Sequence, residues 1–232
     1  FVLDLCYFAY MFSLMLAIII TIVMTLLSLL IAIPMGVGSA IYLVEYAKRG
    51  SKFVELIRLT TETLSGIPSI IYGLFGYLLF VIQLHFGYSI LGGALTISIM
   101  ILPLIMRQTE ESLKAVPDLF REGSLGLGAG KLRTIFSIVL PSAVPGILAG
   151  IILAIGRIVG ETAALIYTAG TVAGIPNSIM GSGRTLAIHM YVLTNEGLYT
   201  NQSYATAVVL LLVVTMINAL SSMLAKKLAS KA

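Results

Sequence analysis

Two charged residues, Arg157 and Glu161, interrupt the apolar segment AIGRIVGETAAL. On a helix, residues four apart share a face, so the spacing allows an ion pair in which Glu161 holds Arg157 in place. Charges inside a membrane span are costly and usually face the bundle interior or a wet path. Because a guanidinium binds oxyanions through paired hydrogen bonds, Arg157 indicates an anion path. The alternative is a structural pair at the outer interface, with Arg157 reaching towards water.

A second candidate for the path is the Gly-x-Pro-Ser sequence formed by Gly66, Pro68 and Ser69. Such a sequence can unwind the start of a helix and expose its backbone, although a kink without a ligand role is an equal alternative. His85 and His189 stand too far from other ligands to predict a metal site. The sequence contains no nucleophile–base–acid set and no Gly-x-x-x-x-Gly-Lys phosphate loop, so we expect no ATPase or other catalytic site in this chain.

The elements that carry these residues are membrane spans. Charged residues make up only 10% of the 232 residues and the mean hydropathy is +1.05, which excludes an ordinary soluble domain. No Asp, Glu, Lys or Arg occurs between Asp4 and Glu45, or between Glu62 and Arg107. With about 20 apolar residues per span, the pattern predicts five helices. They are Tyr10–Ile33, Leu64–Ile82, Ser89–Met106, Ser137–Leu165 (with a possible bend at Pro145) and Ala205–Leu224.

The loops between these helices differ sharply in charge. Arg184 is the one cation on one side, and twelve cations fall on the other, which predicts that the basic side is cytoplasmic. The N-terminus of this sequence is then outside and the C-terminus inside. The extracytoplasmic stretch of about 168–204 predicts a short helix near GRTLAIHMYVLTNEG, and it is either a binding surface or a plain connector. The twelve cations are Lys48, Arg49, Lys52, Arg58, Arg107, Lys114, Arg121, Lys131, Arg133, Lys226, Lys227 and Lys231.

One cytoplasmic loop, about 108–136, leads into the sequence EGSLGLGAGKLRTIFSIVLP. Pro117 is typical of a helix start, and Asp118 and Glu122 in the first turns suit the helix dipole. Four glycines then break regular structure before a helical pattern resumes. The pattern predicts two short helices that meet at a glycine turn, where another protein can approach the backbone. A simple connector is the alternative.

The spacing in this loop carries a resemblance. Glu122 is followed by Gly128 six residues later, then by Ile138, Leu140 and Pro141. This resembles the EAA loop of permease subunits of ATP-binding-cassette importers. Gly123-Ser124 replaces the usual Ala-Ala pair, a change between small residues. In that family the loop forms coupling helices that sit in a groove of the ATPase subunit, and these residues would have that role here.

A wider resemblance covers nearly the whole chain from about Ser13. GIPSIIYGLFGYLLF, the long segment from Glu111 to Gly170, and AIHMYVLTNEG are similar to PstA-type permeases of phosphate importers. The resemblance implies an all-α, five-span type I importer permease core (MetI-like) in a single domain, 1–232, that lacks an N-terminal helix of the full-length protein. It also implies that Arg157, Glu161 and Thr162, with Ser69, line the substrate path.

The same resemblance implies the assembly. The partners would be a homologous PstC-type permease subunit, PstB-type subunits that bind ATP-Mg, and an extracytoplasmic PstS-type phosphate-binding protein. The chain itself would hold no cofactor, would bind no nucleic acid, and would lie in the plasma (inner) membrane of a prokaryote. The alternatives are a permease for sulfate or molybdate, the sister PstC-type subunit, and a membrane signalling or scaffold protein.

Overall fold

The fold consists of helices joined by short breaks and one longer outer loop. A computed structural model of the chain describes residues 2–48, 50–174, 176, 178–197 and 200–229. Arg49 and Lys231, two of the cations assigned to the cytoplasmic side, lie outside the described residues. The helices, in chain order, are α1 (Val2–Ile41), α2 (Lys52–Ser65), α3 (Ser69–Gly76), α4 (Ile90–Lys114), α5 (Asp118–Gly126), α6 (Lys131–Thr134), α7 (Leu140–Val159), α8 (Ala163–Thr168), α9 (Leu186–Glu196) and α10 (Thr200–Ala229).

Three of these helices are extended by a π-helical segment: Tyr42–Tyr46 follows α1, Tyr77–Gln83 follows α3, and Ile135–Val139 joins α6 to α7. With these extensions, four helices within the described residues are long and apolar enough to cross a membrane. They are Tyr10–Tyr46, Ile90–Lys114, Lys131–Val159 and Thr200–Met223. A fifth crossing is formed if Lys52–Ser65 and Ser69–Gln83, which meet at an angle of 102°, count as one broken span.

The second and fourth predicted spans are interrupted. The second span is predicted to begin at Leu64, but α2 ends at Ser65 and α3 begins at Ser69, so the helix is broken at Gly-x-Pro-Ser. The fourth span differs from its prediction. Its helix continues through Pro145 and ends at Val159, and a new helix begins at Ala163 instead of one helix reaching Leu165. Gly160 favours this end, because glycine costs about 1 kcal/mol in a helix interior.

The chain divides into two compact units. The first comprises Phe1–Ile31, Ile67–Met100 and Ile155–Ile217, and it contains Arg157 and the loop predicted to be extracytoplasmic. The second comprises Ala32–Gly66, Ile101–Ala154 and Asn218–Ala232, and it contains the loop predicted to be cytoplasmic. The single permease domain over 1–232 stays a prediction.

In the first unit, α3 packs directly on α8 through glycine. A Cβ atom added at Gly73 would lie 2.7 Å from the Cα of Ala164, and one at Gly76 would lie 2.9 Å from the Thr168 side chain. Gly73 thus lies beside Ala164, and the later residue Gly76 lies beside the later residue Thr168. The two helices therefore run in the same direction. Only residues without a side chain permit this approach of two backbones.

In the second unit, the core joins the end of α1 to α4 and α7. Its buried members are Ala40, Leu113, Val116, Val139, Ala143 and Ile147. An ionic contact adds α2 to this unit, because Glu110 Oε1 lies 2.7 Å from Arg58 Nη2 and 2.6 Å from Lys114 Nζ. The helix ends that surround the cytoplasmic loop are therefore packed together.

Replacement of Gly73 by alanine tests the packing of α3 on α8. We expect Gly73→Ala to lower the midpoint of thermal unfolding in detergent, because overpacking costs about 1–3 kcal/mol. Gly38→Ala is the matched control, since Gly38 is also helical and a Cβ added there would have no described atom within 4 Å. It should be neutral or stabilising by about 0.5–1 kcal/mol. An unchanged or raised midpoint for Gly73→Ala would contradict the close approach.

Candidate functional site

Arg157 lies two residues before the end of α7 and is half-buried. Its charge acts on the phenol of Tyr72, a buried residue of α3. Tyr72 lies three residues after Ser69, so both side chains project from the same side of α3 in its first turn. Arg157 is therefore within electrostatic range of the first turn of α3. Sequence reasoning missed Tyr72, although a tyrosine one turn after Ser69 in an apolar helix was the available signal.

Glu161 does not pair with Arg157, which corrects the expected ion pair. The described residues show no contact within 4 Å between the two charged groups. Glu161 is only 8% exposed, and its Oε1 accepts a hydrogen bond of 3.1 Å from the backbone N–H of Ala164. The reason is that α7 ends at Val159, so Arg157 and Glu161 do not lie on one continuous helix and do not share a helix face. Glu161 instead caps the first turn of α8, where a negative charge is stabilised by the helix dipole.

Thr162 and Ser69 occupy equivalent places at two neighbouring helix starts. Thr162 is the cap residue of α8, and Ser69 is the first residue of α3 after Pro68. Because α3 and α8 are packed and parallel, their N-termini lie at the same end of the pair. Helix N-termini carry partial positive charge, so this end combines two helix starts with the guanidinium of Arg157. The structure thus brings the four predicted path residues to one region of the first unit.

The cytoplasmic loop presents a mostly exposed surface. Helix α5 begins after Pro117 as predicted, and Glu122 and Gly123 are exposed on it. The turn after it contains Gly128, whose φ of +83° requires glycine, and Leu127, which is 92% exposed. Large apolar side chains are unusual in such full contact with solvent. The exposed ones on and beside α5 are Leu119, Phe120, Leu125, Leu127, Leu132 and Phe136.

The glycines of α5 have no packing role within this chain. No described atom lies within 4 Å of a Cβ added at Gly123 or Gly126. Each glycine nevertheless costs about 1 kcal/mol relative to alanine in a helix. Packing within the described residues therefore does not require their small size.

The second half of the EAA-like sequence, from Ile138 to Pro141, lies where the loop joins the following span. Ile138 and Pro141 are half-buried, and Leu140 packs against the core that contains Val139 and Ala143. The prediction of two short helices is only half right. Helix α5 is short, but the helix after the turn continues without a break from Lys131 to Val159. The apolar run through Pro141 has no capping residue that would stop it.

The outer loop is anchored by polar contacts. The predicted short helix is present as α9, and its first N–H, at Leu186, donates to Thr21 Oγ1 of α1 at 2.8 Å. Arg184 Nε donates to the carbonyl of Thr171 at 2.6 Å, and its Nη1 lies 3.2 Å from Nδ1 of His189. Burial, followed by the charge of Arg184, lowers the pKa of His189 to about 4, so the imidazole is neutral at pH 7. His189 thus serves as a buried acceptor for Arg184.

Comparison with protein families gives one match over most of the chain. Residues 32–231 match the family described as "Binding-protein-dependent transport system inner membrane component".

Two relatives are permease proteins. The probable ABC transporter permease protein YqgI of Bacillus subtilis is 38% identical over 179 residues, which are 72% of this chain and 60% of that protein. The phosphate transport system permease protein PstA 1 of Mycobacterium tuberculosis is 37% identical over 196 residues, 83% of this chain and 64% of that protein. The chain thus spans less than two thirds of the length of these relatives.

Solved structures show the same fold at low sequence identity. An amino acid ABC transporter matches with a TM-score of 0.72 and 17% identity, over 96% of this chain and 97% of that one. The MetNI methionine ABC transporter matches with a TM-score of 0.68 and 18% identity, over 90% and 91% of the two chains. The predicted all-α, MetI-like importer permease fold is confirmed. With several helices that can cross a membrane and a family match over most of its length, this multi-pass membrane protein belongs to the family of binding-protein-dependent transport system inner membrane components.

Proposed function

We propose that the chain is the membrane-spanning permease subunit of an ATP-driven phosphate importer. The observation that carries the proposal is the 37% identity over 83% of the chain to a phosphate transport permease. The family and the fold supply the transport role, and the chemistry near Arg157 fits an oxyanion as the transported solute. The same chemistry would also accept sulfate or molybdate, so the relatives decide in favour of phosphate.

The depth of the Arg157 region supports a path through the membrane. Ser69–Gln83 has fifteen residues and spans about 22 Å at 1.5 Å per residue. The hydrocarbon core is about 30 Å thick, so this helix is too short to cross it alone. With Gln83 at the outer boundary, Ser69 starts within the membrane. Interrupted helices whose N-termini point at anionic groups are a recurring form of transporter binding site.

The side chains in this region can hold and release an anion. Arg157 would donate paired hydrogen bonds to two phosphate oxygens, and the hydroxyls of Ser69 and Thr162 would donate further ones. Glu161 would act indirectly, through its cap on α8. Its buried negative charge would also limit how tightly the region retains an anion, which suits a path that must release its solute.

The cytoplasmic loop would dock on an ATPase subunit. Exposed apolar residues such as Leu127 would be buried by a partner, and Gly123 and Gly126 would let its surface approach the backbone of α5. ATP-Mg would be bound and hydrolysed by that partner, and the permease chain would have no ATPase site and no cofactor. Closure of the ATPases would then move α5 and shift the spans between outward-open and inward-open states.

The remaining partners follow from the family description and from the charge bias of the loops. An extracytoplasmic phosphate-binding protein (PstS type) would deliver the solute to the outer face, and a homologous permease (PstC type) would complete the path. ATP-binding subunits of PstB type would face the cytoplasm. We place the chain in the inner membrane of a prokaryote, with its N-terminus outside and its C-terminus cytoplasmic. No role for nucleic acid is proposed.

The role of Arg157 is tested by uptake in proteoliposomes that contain the complete complex. We expect Arg157→Gln and Arg157→Lys to lower phosphate uptake about tenfold or more, because a hydrogen bond to a charged group contributes about 1.5–3 kcal/mol. Insertion and co-purification with the ATPase should be unchanged. Lys52→Gln, which removes an exposed cation of α2, is the control and should transport normally. Normal uptake by both Arg157 variants would refute the role.

Docking on the ATPase is tested by cross-linking from single cysteines in a Cys6→Ser background. Leu127→Cys and Gly126→Cys are exposed and should cross-link to the ATPase subunit in the assembled complex. Ser124→Cys, on the same helix but buried, is the matched control and should react poorly. Gly128 is a poor site, because its positive φ would strain a cysteine. A complex that assembles without cross-links at both exposed positions would contradict this docking surface.

Solute identity is tested by competition in the same proteoliposomes. Labelled phosphate should enter in an ATP-dependent manner, and unlabelled phosphate should compete far better than sulfate or molybdate at equal concentration. Discrimination between these tetrahedral oxyanions depends on donors and acceptors beyond a single arginine. If sulfate or molybdate competes as well as phosphate does, the transporter remains an oxyanion importer but the assignment of phosphate is wrong.

A further inference from the structure

We propose that Arg121 is a positioning residue that fastens the coupling helix α5 to the cytoplasmic ends of two spans. Through this link, movement of α5 would reach α1 and α4. The inference rests on the proposed function, because it assumes that α5 receives force from an ATPase. It concerns contacts within the second unit only.

The guanidinium of Arg121 connects three elements. Nη1 donates to the carbonyl of Val116 at 2.7 Å, and Nη2 donates to the carbonyl of Leu113 at 2.8 Å. Nε and Nη2 both donate to Oε1 of Glu45, at 3.1 and 2.9 Å. Nη1 also donates to Oδ1 of Asp118 at 3.2 Å. These contacts use all five N–H donors of the guanidinium.

The contacts differ in their strength. Side-chain exposure is 16% for Arg121 and 8% for Glu45, whereas Asp118 is 70% exposed. The pair with Glu45 is therefore shielded from water, and loss of one partner would leave a buried charge unpaired. The contact with Asp118 is screened by solvent and contributes little. Glu45 is the partner that matters.

All of these contacts except the one with Asp118 join α5 to the end of a span. Glu45 lies in the π-helical segment Tyr42–Tyr46 that ends the first span. Leu113 lies in the last turn of α4, where carbonyls have no partner within the helix, and Val116 lies just beyond the helix. The carbonyl of Leu113 also accepts a long bond of 3.4 Å from the N–H of Val116. Arg121 satisfies these carbonyls from the neighbouring helix. A planar, fully bonded guanidinium transmits displacement better than a single flexible contact.

On the same side of α5, Ser124 is buried and its Oγ lies 2.9 Å from Oγ1 of Thr134, which ties α5 to the helix after the turn but not to α1 or α4. A cleft of about 820 Å³ lies beside the pair, lined mainly by polar and charged residues that include Glu45, Lys48, Arg58, Asp118 and Arg121. At the next position along α5, Glu122 is exposed. Arg121 thus holds the inner side of α5, while the exposed side remains available to the ATPase.

The inference is tested by the amount of phosphate imported per ATP hydrolysed in proteoliposomes of the complete complex. Coupling between sites commonly amounts to roughly 5- to 150-fold, and we expect Arg121→Gln to lower this ratio about tenfold while ATP hydrolysis continues. Glu45→Gln should act in the same direction. Arg121→Lys should restore the ratio only in part, because an ammonium keeps the charge but lacks the fork. Asp118→Asn is the matched control and should keep the wild-type ratio.

A second measurement decides the inference without transport. Spin labels at Leu125→Cys on α5 and Tyr42→Cys at the end of the first span, in a Cys6→Ser background, report their separation in the assembled complex. We expect a narrow distance distribution that broadens or shifts in Arg121→Gln and not in Asp118→Asn. An unchanged distance distribution in Arg121→Gln would overturn the positioning role. So would a transport result in which import and ATP hydrolysis fall together in proportion to the amount of assembled complex. Failure of the wild-type complex to import phosphate would instead refute the proposed function, and the distances would still test Arg121.

Discussion

The structure depends on the need to satisfy every backbone polar group that lies within the membrane. An unpaired group in hydrocarbon costs several kcal/mol, so a helix can be interrupted there only if neighbouring groups take over its hydrogen bonds. At the break between α7 and α8, two backbone N–H groups find such partners. The N–H of Glu161 bonds to the carbonyl of Ile158, and that of Ala164 bonds to the Glu161 carboxylate. The interruption is thus stabilised by the same residue that the sequence marks as a charge in a span.

Arg157 and Glu161, the two charged residues within the predicted fourth span, thus have different roles. Glu161 is committed to a backbone group of α8, and it does not neutralise Arg157 by a direct ion pair within 4 Å. The guanidinium instead lies within electrostatic range of Tyr72, in the first turn of α3. An arginine that is not paired with an adjacent carboxylate has N–H donors available for a passing oxyanion. This arrangement fits an importer better than a tight structural ion pair does.

The sequence predicted those features that depend on local patterns. Helices long enough to cross a membrane are present at four of the five predicted spans, and α5 starts after Pro117 as predicted, because hydropathy and helix-start signals reveal both features. The fourth of the predicted spans ends earlier than expected, at Val159. The pairing of Arg157 with Glu161 failed because apolar periodicity does not reveal that a glycine ends one helix and that a carboxylate caps the next. The link from Arg121 to Glu45 could not be predicted, because the two residues are 76 positions apart and only packing brings them together.

The two sides of helix α5 differ in their contacts. With 3.6 residues per turn, Gly123 and Gly126 lie roughly 200° and 140° around the helix from Arg121. No described atom lies within 4 Å of a Cβ added at either glycine, and Gly123 in the helix interior costs about 1 kcal/mol in propensity. The Arg121 side supplies a shielded ion pair and two carbonyl contacts that offset this cost. Because α5 is attached on its Arg121 side, a partner that displaces the opposite side would move α5 together with the helix ends bound to Arg121. An element that couples a partner to the spans needs this property.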